Sequence, residues 1–152
     1  MDAEGATAGF SPSVSFILGG QIRGEPPALH MIYPEGNHIT TSMATPYLQI
    51  GETKYGKPIL DRVIDRETSL EDAARCALVS MDSTMQSNVT VGPPVEMLIY
   101  ESDSLTQKRY MRFDEHHPYY FELRTKWADN IRTAFNTLPP FNWESAGPPP
   151  AE

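Results

Sequence analysis

A chain of 152 residues with 39% hydrophobic content is long enough to bury one core and apolar enough to build it. Its 20 acidic side chains outnumber 12 basic ones for a net charge of -8, and without a clustered basic face to neutralise phosphates nucleic acid is not an expected partner. Cys76 is the only cysteine, which excludes an intrachain disulfide and a cysteine-based zinc site.

Residues 1–13 are small, polar and acidic, and read as a flexible lead without the basic start and apolar centre of a signal peptide. No apolar run approaches the roughly 20 residues that cross a bilayer, so no membrane contact and a cytoplasmic location are expected. Val14 to Gly20 and Leu29 to Tyr33 are short apolar runs separated by Arg23-Gly24-Glu25-Pro26-Pro27, which predicts an antiparallel hairpin. Pro34 to Asn37 predicts a tight turn, and two further short strands are expected at His38 to Ser42 and Tyr47 to Ile50.

The periodicity changes after Gly51. Ile59, Leu60, Val63 and Ile64 fall at helical spacing, with Pro58 tolerable in a first turn. Ser69-Leu70-Glu71-Asp72 predicts a capped helix start, Asp72 being an acidic variant of the usual Glu or Gln. The helix that follows shows a stripe of Leu70, Ala73, Ala74, Ala77, Leu78, Met81 and Met85, with Glu71, Asp72, Arg75, Asp82 and Gln86 opposite. Residues 87–94 read as a loop, Val95 to Tyr100 as a strand, and the next stretch as an irregular linker. Pro118 opens a long helix with the stripe Tyr120, Leu123, Trp127, Ile131, Phe135 and Leu138. Residues 14–138 thus form one unit, and the proline-rich tail 139–152 is expected to fray.

The first strands do not alternate cleanly between apolar and polar. Phe16 and Leu18 lie on one side and Ile17 on the other, so both faces ask for cover. The helices supply one layer, and nothing else in the chain supplies a second.

Two stretches are similar to a known family. SFILGGQIRGEPPALHMIYPEGNHI, continuing into PYLQIGETKYGKPILDRVI, and TSLEDAARCALVSMDSTMQSNVTVGPPVEMLIYESDSL both resemble the Anbu-type bacterial homologues of the proteasome, proteasome-type threonine proteases with an N-terminal nucleophile. The resemblance runs from about Ser15 to Leu105, and more loosely to Trp143. It implies an α+β fold, part of an αββα four-layer sandwich, here mainly one antiparallel sheet plus its covering helices.

It also implies a chemistry. Such enzymes attack the peptide carbonyl with an N-terminal threonine hydroxyl, using that residue's α-amine as base, tuned by a nearby lysine and aspartate. The sequence opens Met1-Asp2-Ala3, so the nucleophile and its partners are absent from the expected positions. Cleavage before Thr7 would expose a threonine, but the residues that follow do not resemble a first strand. By family position, Glu52 stands where a serine is usual. Ser87 and Thr90 stand where an aspartate and a serine flank the threonine amine, and Asp82 precedes them on the outer helix face. The alternative for all four is turn chemistry and solvated surface.

Other signals are weaker. His116-His117 reads as a solvent-exposed pair rather than a metal site, and Cys76 as a core residue. Residues 51–57 fail the spacing of a phosphate loop. Asn88-Val89-Thr90 matches a glycosylation sequon. No metal or cofactor is expected. The resemblance implies a peptidase subunit acting on peptides or unfolded proteins inside a ring-like or helical homo-oligomer, inactive as this chain alone. The alternative is a non-catalytic assembly or interaction module completed by another chain.

Overall fold

The expected hairpin forms. In the computed structural model, which describes residues 13–144, β1 (Phe16–Gly20) pairs antiparallel with β2 (Ala28–Ile32), Phe16 opposite Ile32 and Gly20 opposite Ala28. The first 12 residues of the expected lead and residues 145–152 of the expected tail lie outside the described residues. A tight turn follows β2, closed by the Tyr33 amide on the Asn37 carbonyl at 2.9 Å. β3 (His38–Thr40) then adds to β2, antiparallel, giving the order β1-β2-β3.

The strand expected at Tyr47 to Ile50 is not formed. This segment is held to the next helix instead of to a sheet: the Tyr47 hydroxyl donates to Asp61 at 2.6 Å, and the Lys57 ammonium donates to both. That helix, α1 (Lys57–Val63), accepts Pro58 in its first turn and buries Leu60. Ser69 caps α2 (Leu70–Ser87), its hydroxyl oxygen accepting the Asp72 amide proton at 3.1 Å.

The buried side of α2 departs from the expected stripe. Cys76, Leu78, Val79, Ser80, Asp82 and Thr84 are buried, whereas Leu70, Ala77 and Met81 are exposed. Two neighbours explain the rotation. The start of α1 presses on Ser80 and Thr84: a Cβ at Gly56 would stand 2.2 Å from Ser80 Oγ and 3.1 Å from the Ser80 carbonyl oxygen. Side-chain volume is excluded there, so small polar residues fill the contact. On another side Asp82 meets Arg124, so an acid predicted to face solvent is buried against a cation.

β4 (Val95–Ile99) pairs antiparallel with β5 (Arg109–Phe113) as a separate two-stranded sheet, Val95 opposite Phe113. β5 replaces the expected irregular linker. Pro118 opens α3 (Pro118–Asn136) as expected. The core gathers Leu78, Val95, Phe113 and Tyr120, with Met85, Met97 and Leu123 packed around it. Along the α3 stripe Tyr120 is buried, but Ile131 and Phe135 are exposed.

Among the described residues the architecture is therefore α+β with two sheets rather than mainly one. The helices cover the β4–β5 pair, and no helix makes an extended contact with β1–β3 among the described residues. Not one residue of β1–β3 is buried: Phe16 and Leu18 are 59% and 60% exposed on one face, and Ile17, Leu29 and Ile39 are exposed on the other. One side chain ties the two sheets together. Gln21, just past β1, accepts from the Tyr100 hydroxyl (2.8 Å) and the Asp103 amide (2.7 Å), and donates to the Asp103 carboxylate (2.8 Å). No helix among the described residues is long and apolar enough to cross a membrane.

Candidate functional site

Three of the four candidate residues fall near the C-terminal end of α2, and two of them are joined. Gly51 turns the chain at a φ of +80°, a left-handed conformation strained for any residue with a Cβ. The turn delivers Glu52, half-buried, toward the end of α2. Glu52 Oε2 accepts from Asn88 Nδ2 at 3.2 Å, a contact between residues 36 apart in sequence. Its Oε1 takes a longer bond of 3.4 Å from the Lys54 amide.

Asn88 is the C-cap of α2, and its own amide closes on the Thr84 carbonyl. Its side-chain oxygen accepts twice from Thr90, from the amide at 3.0 Å and from the hydroxyl at 2.7 Å. Glu52 and Thr90 are thus connected through Asn88. Ser87, the last residue of α2, is exposed and takes no part in this network.

Asp82 does not join them. Its carboxylate is bound by the Arg124 guanidinium at 2.5 Å in the contact between α2 and α3. Arg124 also sits over the Tyr120 ring, 5.6 Å from its centroid. Burial, and then the Asp82 charge, push the Tyr120 hydroxyl pKa above its ordinary value. This cluster is a packing device between helices, and Asp82 serves it.

Asn88 was missed in the sequence, where Asn88-Val89-Thr90 reads first as a sequon. The usable signal was physical: an asparagine just past a helix, with a threonine two residues on, bonds back to the chain as an Asx-turn. The bond to Glu52 had no sequence signal.

The remaining candidates separate. His116 is exposed, but His117 is half-buried with its ring edge against Phe113 (4.8 Å between centroids), so the two do not form a solvent-exposed pair. The phenylalanine draws the second imidazole into the core's margin. Cys76 is buried, and desolvation raises its thiol pKa. No group of three or more His, Cys, Asp or Glu side chains arranged to hold a metal occurs among the described residues. Two cavities lie away from the network: one of about 890 Å³ between the three helices, including Cys76 and Trp127, and one of about 690 Å³ between the ends of β1–β2 and β4, lined by Gly19, Leu29, Leu98 and Tyr100.

No family model and no curated protein matches the sequence. Solved structures do. The chain is similar to Anbu (ancestral beta-subunit) from Yersinia bercovieri at 46% identity and a TM-score of 0.83, covering 86% of this chain and 56% of that one. The Anbu complex of Pseudomonas aeruginosa, solved as a helical assembly, is similar at 46% identity and a TM-score of 0.85, over 93% of this chain and 59% of the relative. Anbu from Hyphomicrobium sp. strain MC1 is similar at 46% identity and a TM-score of 0.82, over 86% and 56%. The chain spans somewhat more than half the length of these relatives.

Proposed function

Because the chain matches Anbu, a bacterial proteasome-like protein, over most of its own length, we propose that it is the C-terminal portion of a proteasome-type threonine peptidase subunit, which hydrolyses peptide bonds within a self-associated assembly. The single observation that carries the catalytic reading is the Glu52–Asn88–Thr90 network. It joins two of the positions at which the resemblance expects groups that support the nucleophile. Ser87 offers no carboxylate, but Glu52 brings one to the neighbouring residue, Asn88. Thr90 offers the hydroxyl.

The division of labour follows. An N-terminal threonine outside this sequence would attack the peptide carbonyl, its hydroxyl proton passing to its own α-amine and then to the departing amine of the substrate. This chain would contribute the anionic and hydroxyl acceptors that hold that amine. No residue of the sequence is assigned as nucleophile, and the chain alone is expected to be inactive.

A second reading, a non-catalytic assembly module, has its own support in the exposure of β1–β3 on both faces. One experiment separates the two. Peptide hydrolysis is measured for the chain alone and for the chain joined to a threonine-initiated N-terminal segment from one of the relatives, with light scattering on the same fractions. Activity only in the joined assembly, abolished by replacing that threonine with alanine, supports the peptidase. A joined assembly that forms and hydrolyses nothing supports the module.

A further inference from the structure

We propose that Asn88 is a positioning residue, which fixes the direction of the Thr90 hydroxyl proton and seats the Glu52 carboxylate so that both present acceptors to a primary amine; this rests on the peptidase reading above. The hydrogen-bond inventory of the three side chains leads there. Asn88 Oδ1 receives two donors, the Thr90 amide and hydroxyl, while Asn88 Nδ2 gives one proton to Glu52 Oε2. Turning the amide over would set its oxygen against the carboxylate and its NH2 against the Thr90 N–H. Both contacts repel, so one orientation is selected.

That orientation has a consequence for Thr90. Its only hydroxyl proton is committed to Asn88, so what remains are lone pairs. Glu52, when ionised, is acceptor-only as well. The network therefore suits a donor such as an ammonium or amine group, and disfavours a carbonyl or a second anion.

Local turn chemistry accounts for part of this, since an asparagine ending a helix commonly bonds the residue two positions on. It does not account for Glu52. That side chain arrives from a loop 36 residues earlier, launched by the left-handed backbone at Gly51. Two elements that need not have met converge on one amide, which is itself pinned to the last turn of α2.

The test has two arms. In the full chain labelled with 15N-asparagine, the Asn88 side-chain amide resonance is compared between the parent, Glu52→Gln and Thr90→Val. Each substitution is expected to move it, the first by weakening the acceptor of its N–H and the second by removing the hydroxyl that donates to its oxygen. A resonance that neither substitution moves overturns the proposal. In the assembly joined to a threonine-initiated segment, Asn88→Ala and Asn88→Asp are compared. Asp retains an acceptor for Thr90 and loses the donor to Glu52. Both variants should lose kcat on the order of tenfold, with KM unchanged and the acid limb of the pH profile displaced. Folded variants with an unaltered profile overturn the proposal, since a merely structural asparagine would change yield or melting and leave the profile alone. If the unmutated assembly hydrolyses nothing, the peptidase reading fails, and the resonance arm still decides whether Asn88 bridges the two groups.

Discussion

Lys57, Tyr47 and Asp61 show how one side-chain trio replaces a strand. The Lys57 ammonium, and then the Tyr47 hydroxyl, hold the Asp61 carboxyl below the usual carboxylate range. A group whose folded pKa is depressed stabilises the fold above its unfolded pKa, and that contribution is lost as pH falls through the folded one. Asp61→Asn should therefore melt lower than the parent near neutrality, with the difference closing in acid; thermal melts of both proteins across that range check it. A gap that persists undiminished at the acid end would mean the trio is not what is lost. A second residue-scale prediction concerns Gly56. A methyl group there collides with Ser80, so Gly56→Ala should destabilise by about 1–3 kcal/mol, as overpacking does. Adding Ser80→Ala should recover part of the loss, which urea titration of the single and double variants measures.

At the scale of elements, the contact of α2 with α3 depends on Asp82 and Arg124. The carboxylate is nearly enclosed, and removing its partner strands a charge. The guanidinium is about one-third exposed, which screens the pair, so Arg124→Ala should cost about 2 kcal/mol rather than the full penalty of a buried ion. Chemical denaturation of the single variants and the double variant with Asp82→Ala would measure the coupling. Additive losses would show that the two side chains do not act together. This pair also marks where the sequence stopped being readable. Ser69 and Pro118 announced α2 and α3, because caps and first-turn prolines act locally. Asp82 was assigned to the wrong side of α2, because which arc of a helix is buried depends on the neighbours that arrive later in the chain. β5 was missed for a related reason. Arg109 and Arg112 interrupt a five-residue strand whose only buried residue is Phe113, leaving too little alternation to detect. The Tyr47 to Ile50 strand failed in the opposite way, with good strand residues diverted by side-chain bonds to α1. At the candidate site, family position points to Glu52 and Thr90 as candidates, and only the fold reveals the amide that joins them.

The whole molecule divides into a part that satisfies itself and a part that does not. The core of Leu78, Val95, Phe113 and Tyr120 is closed by its own helices, while β1–β3 present apolar side chains outward on both faces. Exposed strands of this kind drive association. Light scattering on the isolated chain should show mass rising with concentration, and Leu18→Lys should reduce the rise without lowering the melting temperature. An unmodified chain that stays monomeric at high concentration would show that the sheet needs no cover.

The Gln21 junction adds a question of timing. The partners of that one amide, Tyr100 and Asp103, come 79 and 82 residues later in the chain. At a synthesis rate of roughly 5–20 residues per second, the ribosome takes about 4–16 seconds to deliver them. Through that interval the hairpin waits without this anchor, its apolar side chains exposed on both faces. A nascent chain arranged this way depends on how quickly its later half is made, so slowing translation downstream of β3 would lengthen the exposure of the segment least able to tolerate it.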